Sequence, residues 1–211
     1  MVLHTFKTSY SLNPFAPDFS FNMAEDIIPV NLTSLKSFFL TKEKKLIDEY
    51  NFYSDGGTQL GKDSVTTRFI HYNLLNFPEV NFLKKIIKDK HDQFLKTVNI
   101  NIDKPVYIQC WYNVLRKGEQ IKKHKHSSLS NEDSFLSGNL CVNVDKTSTY
   151  YLPPFFEKQI QIKNKNNQIV FFPSWLEHYT DNVNDSFERI TIGFDIKYTE
   201  NPGKHGVWVN L

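Results

Sequence analysis

The spacing of apolar residues divides the chain into a first half with helical character and a second half with strand character. The clearest helix pattern follows Pro78, a residue that suits the first position of a helix, and continues to about residue 98. Its apolar positions recur at three-, four- and seven-residue intervals and are Val80, Leu83, Ile87, Phe94 and Val98. A shorter helix is predicted over residues 33–50, followed by a glycine-containing loop over residues 51–63.

Short apolar segments replace the helical spacing after about residue 104. They are separated by turn-rich sequence and lie at residues 106–115, 140–144, 150–152, 159–162, 169–172 and 189–196. Many short strands in succession are typical of a sandwich or a barrel. We therefore predict a single domain over residues 1–211. In it, residues 1–103 are a mainly helical support that begins with strand or irregular structure, residues 104–198 are the β core, and residues 199–211 are a tail.

The composition is that of an ordinary globular protein, with 40% hydrophobic and 23% charged residues and a net charge of +2. So small a net charge gives no reason to expect nucleic acid or an anionic membrane as a partner. Cys110 and Cys141 lie in apolar stretches, which predicts buried free thiols and a reducing compartment. No apolar stretch approaches the roughly 20 residues of a membrane span. The N-terminus has no charged start followed by an apolar core, so we expect a cytoplasmic protein.

A group of histidines in the β half has the spacing of a metal site. His124 and His126 are two residues apart, so on a strand their imidazoles face the same side and can bind one ion. His178 lies 52 residues after His126 and ends the segment IVFFPSWLEH, which is read as a buried strand and a turn that present the histidine. These three are the predicted ligands. The remaining histidines that we considered are interpreted as ordinary surface or core residues and are His71, His91 and His205.

The last predicted strand alternates strictly between two faces. Its isoleucines and Phe194 occupy one face, whereas Arg189, Thr191, Gly193 and Asp195 occupy the other. If the isoleucines pack against the helices, Arg189 and Thr191 point into the mouth of a barrel. A buried arginine requires an anion, and its planar fork suits a carboxylate. The alternative is an internal ion pair of Arg189, for which the candidate partners are Asp181, Asp185 and Asp195.

Four segments together resemble a known family. They are WYNVLRKGEQIKKHKH at 111–126, FLSGNLCV at 135–142, VFFPSWLEH at 170–178 and ERITIGFDI at 188–196. The stretch resembles the 2-oxoglutarate/iron(II)-dependent oxygenase superfamily, and within it a group of oxygenases of about 200 residues from marine bacteria and their phages. Residues 66–87 are similar to the helical lead-in of that group.

The resemblance implies a mainly β fold with flanking helices, built on a double-stranded β-helix, the jelly-roll or cupin-like barrel. It also implies a dioxygenase that uses Fe(II), 2-oxoglutarate and O2, hydroxylates an unidentified small molecule or peptide, and releases succinate and carbon dioxide. His124 and His178 would be iron ligands. Arg189 would hold the far carboxylate of 2-oxoglutarate, with Thr191 and Asn113 as further contacts. No catalytic residue beyond the metal ligands is expected, and no oligomeric state follows.

Residue 126 departs from the usual pattern of the superfamily. Most members have Asp or Glu at this position, which completes a set of two histidines and one carboxylate. Here the residue is His126, as in the marine group that the sequence resembles. A carboxylate could also come from Glu132 or Asp133 in the loop that follows.

Two other functions remain open at this stage. Gly118, the two histidines, Glu132 and Gly138 approximate the first motif of the cupins, and residues 173–182 approximate the second. A cupin would bind metal in the same barrel without 2-oxoglutarate, although its pattern gives no role to Arg189. A non-catalytic barrel used in assembly or carbohydrate binding is the third interpretation, and its metal site would stay empty.

Overall fold

The computed structural model describes residues 1–8, 18–50, 64–68, 73–127, 134–144, 146–154, 156, 158–184, 186–198 and 207–211. Within these ranges the helices are α1 (Lys36–Tyr50) and α2 (Phe82–Thr97), with 3-10 turns at Leu32–Leu35 and Leu74–Asn76. The strands are β1 (Val2–Lys7), β2 (Ser20–Ile27), β3 (Val65–Thr66), β4 (Tyr107–Leu115), β5 (Leu136–Asn143), β6 (Ser148–Leu152), β7 (Ile160–Lys163), β8 (Gln168–Pro173), β9 (Glu177–Thr180), β10 (Arg189–Lys197) and β11 (Val209–Asn210).

The strands form two antiparallel sheets. In the described part of the chain, the larger sheet has the order β1-β2-β8-β5-β10-β4-β11, with β3 also paired to β4, and the smaller has the order β7-β6-β9. Sequence-distant strands are therefore neighbours, as when β10 pairs with both β4 and β5. This arrangement confirms the predicted mainly β fold with a double-stranded β-helix core.

The helices cover the outer face of the larger sheet. Ile190, Ile192 and Phe194 of β10 belong to the same apolar cluster as Leu83 and Ile87 of α2. Because neighbouring residues of a strand point to opposite faces, the alternate residues of β10 face the interior between the two sheets. The prediction that the isoleucines pack toward the helices is thus confirmed, and the polar face of β10 lies inside the barrel.

The N-terminal region contributes more strand than the predicted helical support contains. Strands β1 and β2 extend the larger sheet through the pairing of β2 with β8, and β3 pairs with β4. The predicted tail also contains β11, which pairs with β4. Strands β3 and β11 have only two residues each, too few to show a periodicity in the sequence. The division of the chain at residue 104 stays a prediction, but it does not separate helices from strands.

Other local expectations are met or refined by the structure. Both cysteines are buried and free, as predicted. The loop expected over residues 51–63 lies outside the described residues. Across the described chain, no helix combines the length and apolar character that crossing a membrane requires.

Candidate metal and co-substrate site

Backbone pairing brings the three predicted metal ligands together. His124 and His178 form an antiparallel bridge in which each backbone N–H donates to the other's carbonyl, at 3.0 and 2.9 Å. As expected from the sequence, a buried strand, β8, and a turn at residues 174–176 precede His178, which is the second residue of β9. The segment around His124 and His126 is extended but is not a regular strand. The ligand atoms of the three imidazoles all lie within 4.8 Å of one another. The pairing of distant segments thus closes the 52-residue gap.

Each imidazole is oriented by a hydrogen bond at Nδ1. The Nδ1 of His124 lies 2.8 Å from the carbonyl of Lys122, and that of His178 lies 3.0 Å from the carbonyl of Leu176. The Nδ1 of His126 lies 2.5 Å from Oδ1 of Asp195. A carbonyl or carboxylate oxygen can only accept, so Nδ1 carries the proton in each ring and Nε2 keeps its lone pair.

The remaining imidazole nitrogens are arranged as ligands of one cation. The Nε2 atoms of His124 and His126 are 3.2 Å apart, although both are lone-pair acceptors when Nδ1 is protonated. Two acceptors at that distance repel each other unless a cation lies between them. Roughly 3 Å is also the separation of adjacent ligands that are each about 2.1 Å from a metal ion. The donor set therefore fits a divalent transition metal.

Burial keeps these imidazoles in the neutral form that binds metal. Burial lowers the pKa of His124 to about 4, with a further contribution from His126. The same cause places the pKa of His178 well below its ordinary value and lowers that of His126. At neutral pH no proton has to leave before a metal binds.

Asp195 is the carboxylate closest to the three histidines in the described chain. In addition to its contact with His126, Asp195 accepts a hydrogen bond from Ser137 Oγ at 2.6 Å and forms an ion pair with Arg68 Nη2 at 3.0 Å. Burial alone raises the pKa of Asp195, but His126, Arg68 and the hydrogen bonds outweigh burial and hold it below the ordinary value. The suggested ion pair of Asp195 with Arg189 is therefore wrong. The alternatives Glu132 and Asp133 lie outside the described residues.

Arg189 is a buried cation without an anionic partner among the described residues. Arg189 is 1% exposed, and its Nη1 has no hydrogen-bond partner. Its Nε donates only a long hydrogen bond, of 3.4 Å, to Thr147 Oγ1. Asp181, a second suggested partner, accepts the backbone N–H of Ser148 and forms no ion pair with Arg189. Asp185 lies outside the described residues, and burial lowers the pKa of Arg189.

The predicted co-substrate residues lie in the same pocket as the histidines. Thr191 of β10 is paired in register with Asn113 of β4, so the two side chains are neighbours on the inner face. Both are buried, and both line the pocket that Arg189 and the three histidines also line. All six predicted site residues therefore share one cavity.

No protein-family model matches the sequence, and no curated protein matches it. Among solved structures, an oxidoreductase of the 2OG-Fe(II) oxygenase family from Burkholderia pseudomallei has 15% identity and a TM-score of 0.47, over 59% of this chain and 60% of its own. A prolyl hydroxylase from Trichoplax adhaerens, in complex with a fragment of hypoxia inducible factor, has 8% identity and a TM-score of 0.59, over 83% of each chain. HygX from Streptomyces hygroscopicus, with nickel and 2-oxoglutarate bound, has 11% identity and a TM-score of 0.53, over 83% of each chain.

The last two of these structures share the double-stranded β-helix fold of this chain. At these identities they show the fold alone, and the roles of individual residues have to be argued from this pocket itself.

Several residues of the pocket were not singled out from the sequence. The Arg68 guanidinium lies 4.5 Å from the centre of the Trp111 ring, and both line the pocket. Tyr151 OH and Asn139 Oδ1 are buried without a hydrogen-bond partner. The alternation of β4 places Trp111 on the same face as Asn113, so that residue could have been found, whereas nothing local marks Arg68.

Of the other histidines considered from the sequence, His91 is described and does not line the site. His91 is buried on α2, with Nδ1 3.1 Å from Asp92, as expected of a core histidine. His71 and His205 lie outside the described residues.

Proposed function

We propose that this protein is an iron(II)- and 2-oxoglutarate-dependent dioxygenase that hydroxylates a small molecule or a peptide. One observation carries the proposal: a cluster of three inward-facing imidazole nitrogens shares a pocket with a fully buried arginine whose Nη1 is unpaired. The cluster fits a divalent metal and the arginine fits a carboxylate, which are the two requirements of this class.

One group of pocket residues would bind the metal, and another group would bind the co-substrate. His124, His126 and His178 would hold iron(II) and, as only three ligands, leave coordination positions open. Arg189 would bind the carboxylate of 2-oxoglutarate that is far from the metal, through two parallel hydrogen bonds. Thr191 would add a hydroxyl contact beside it. When bound, iron(II) and 2-oxoglutarate would supply, with O2 as the oxidant, oxidative decarboxylation of 2-oxoglutarate to succinate and carbon dioxide, coupled to hydroxylation of the substrate.

Aromatic rings border the histidine cluster on the side of His178. The ring of Phe172 lies 4.7 Å from that of His178, and the buried ring of Tyr151 lies 5.8 Å from it. Burial strengthens every charge interaction in the pocket and protects a reactive site from competing reactions.

Arg189 favours this function over the two alternatives. A cupin that binds only metal leaves a buried, unpaired guanidinium without a role, and burying such a charge is strongly unfavourable. A non-catalytic barrel also leaves unexplained why His124 and His126 bring two lone pairs within 3.2 Å.

Narrower expectations extend the proposal. The resemblance to oxygenases of marine bacteria and phages, a cytoplasmic location, and the lack of nucleic-acid or membrane partners all remain expectations from the sequence. Fe(II), 2-oxoglutarate and O2 would be the complete set of cofactor and co-substrates.

Anaerobic titration with Fe(II) and then 2-oxoglutarate tests the function directly. We expect the visible charge-transfer band of an iron-bound keto acid, and succinate release once O2 and a substrate from a panel of peptides, amino acids, nucleotides and sugars are added. His178→Ala should bind no iron. His4→Ala is the matched control, because His4 is a part-exposed histidine paired with Glu25 on β2. If the wild type shows no band at saturating 2-oxoglutarate, the assignment is wrong.

A further inference from the structure

Asp195 is held from three separate parts of the fold. Its Oδ1 accepts from His126 Nδ1 at 2.5 Å and from Ser137 Oγ of β5 at 2.6 Å, and its Oδ2 accepts from Arg68 at 3.0 Å. The residue is 2% exposed. A carboxylate with this many fixed donors has little freedom to move, so the ring of His126 that it contacts is fixed as well.

Among the three histidines, His126 alone donates its Nδ1 hydrogen bond to a carboxylate. His124 and His178 donate to backbone carbonyls, which carry no net charge. A carboxylate acceptor makes an imidazole a stronger metal ligand and fixes which nitrogen faces the metal. The ring of His126 is also enclosed by Trp111, at 5.6 Å, and by Phe172, at 6.1 Å between ring centroids.

Arg68 balances the charge of Asp195 and helps to fix its position. In the described chain, the carboxylate nearest to the three histidines is that of Asp195, and it contacts them through His126. The guanidinium of Arg68, stacked on Trp111, fixes the other oxygen of this carboxylate.

We propose that Asp195 is a positioning residue for the metal: its fixed carboxylate holds His126 in the Nδ1-protonated form with Nε2 toward the ion. The proposal rests on the metal site of the proposed function. Ser137 and Arg68 keep Asp195 in place and do not touch the metal.

A double-mutant cycle with Ni(II) binding tests the proposal without any activity measurement. Asp195→Asn should weaken Ni(II) binding by about 10- to 100-fold, as expected when the hydrogen-bond partner of a metal ligand is lost. In a His126→Ala background the same substitution should change the affinity by less than about twofold, because the ring through which Asp195 acts is gone. In a His124→Ala background the full effect should persist.

Two further variants separate positioning from general destabilisation. Ser137→Ala leaves the carboxylate charge in place but removes one of its donors, so binding should weaken by about threefold, again only when His126 is present. Asp181→Asn is the matched control, because Asp181 is a carboxylate that accepts a backbone N–H at the start of β6 and does not contact the histidines. With Co(II), the visible absorption spectrum should change in Asp195→Asn and not in Asp181→Asn.

The outcomes distinguish this proposal from the metal site itself. Wild-type affinity retained in both Asp195→Asn and Ser137→Ala would overturn the role of Asp195 and leave the metal site intact. An equal loss in the His126→Ala background would also overturn it, because Asp195 would then act on the whole pocket. If the wild-type protein binds neither Ni(II) nor Co(II), both the positioning role and the proposed function fail.

Discussion

Arg189→Met should separate the stability of the protein from its binding of 2-oxoglutarate. Methionine keeps most of the length of the side chain and removes its charge. In the metal-free protein, the Arg189 guanidinium gains only a 3.4 Å hydrogen bond to Thr147 Oγ1. That oxygen also accepts from Asn164 Nδ2 at 3.1 Å, so the substitution leaves no buried acceptor unpaired.

The expected changes in stability and in 2-oxoglutarate affinity follow from the lack of an anionic partner for Arg189 among the described residues. Removing one partner of a buried ion pair lowers stability by about 3–5 kcal/mol, whereas replacing poorly compensated buried charges by apolar groups is often neutral or stabilising by about 1–4 kcal/mol. For Arg189→Met we therefore expect stability that is unchanged or increased. Binding of 2-oxoglutarate should weaken at least 100-fold, or about 2.7 kcal/mol. Arg189→Lys should weaken it by at least tenfold, about 1.4 kcal/mol, because an ammonium cannot form two parallel hydrogen bonds.

Urea unfolding of the metal-free proteins measures the free energy of unfolding. Anaerobic titration that follows the absorption band of the iron-bound keto acid measures the affinity for 2-oxoglutarate. Iron binding should survive in both variants, since the histidines are unchanged. A loss of about 3 kcal/mol or more in metal-free Arg189→Met would show that the arginine belongs to a structural ion pair. Equal binding of 2-oxoglutarate by wild type and both variants would refute the role of the arginine altogether.

Three further predictions concern the rest of the protein. The pKa of His124 is about 4 in the folded protein, below its unfolded value, so the unfolded state binds more protons between pH 4 and 6.5. The stability of the metal-free protein should therefore fall on acidification, by about 2 kcal/mol from His124 alone between pH 7.5 and 5, and a flat profile in urea unfolding would contradict this. Gly193→Ala should lower the free energy of unfolding by about 1–3 kcal/mol, measured by thermal melting, because the new Cβ would lie 2.6 Å from Trp111 Cε2. Glu43→Gln should cost about 2 kcal/mol in urea unfolding, because buried Glu43 accepts two hydrogen bonds from Arg116, at 2.8 and 2.7 Å; an unchanged unfolding midpoint would show that the pair contributes little.

The sequence by itself determined those features that depend on local backbone geometry. The alternation of β10 placed Arg189 and Thr191 on the face opposite the isoleucines, because successive residues of a strand point to opposite faces. The spacing of His124 and His126 placed two imidazoles on one side. The succession of short strand segments after about residue 104 indicated a sandwich or a barrel. None of these inferences required knowledge of which strands are paired.

Tertiary structure alone decided which side chains meet across the barrel. Asp195 faced the interior by alternation, but its partners Ser137 and Arg68 are 58 and 127 residues away in sequence. Contacts at such separations depend on strand order and register, and a shift of one residue would turn a side chain to the opposite face. The sequence could therefore list Asp195 among the possible partners of Arg189. Only the tertiary structure placed Asp195 beside His126 and left Arg189 with no anionic partner among the described residues.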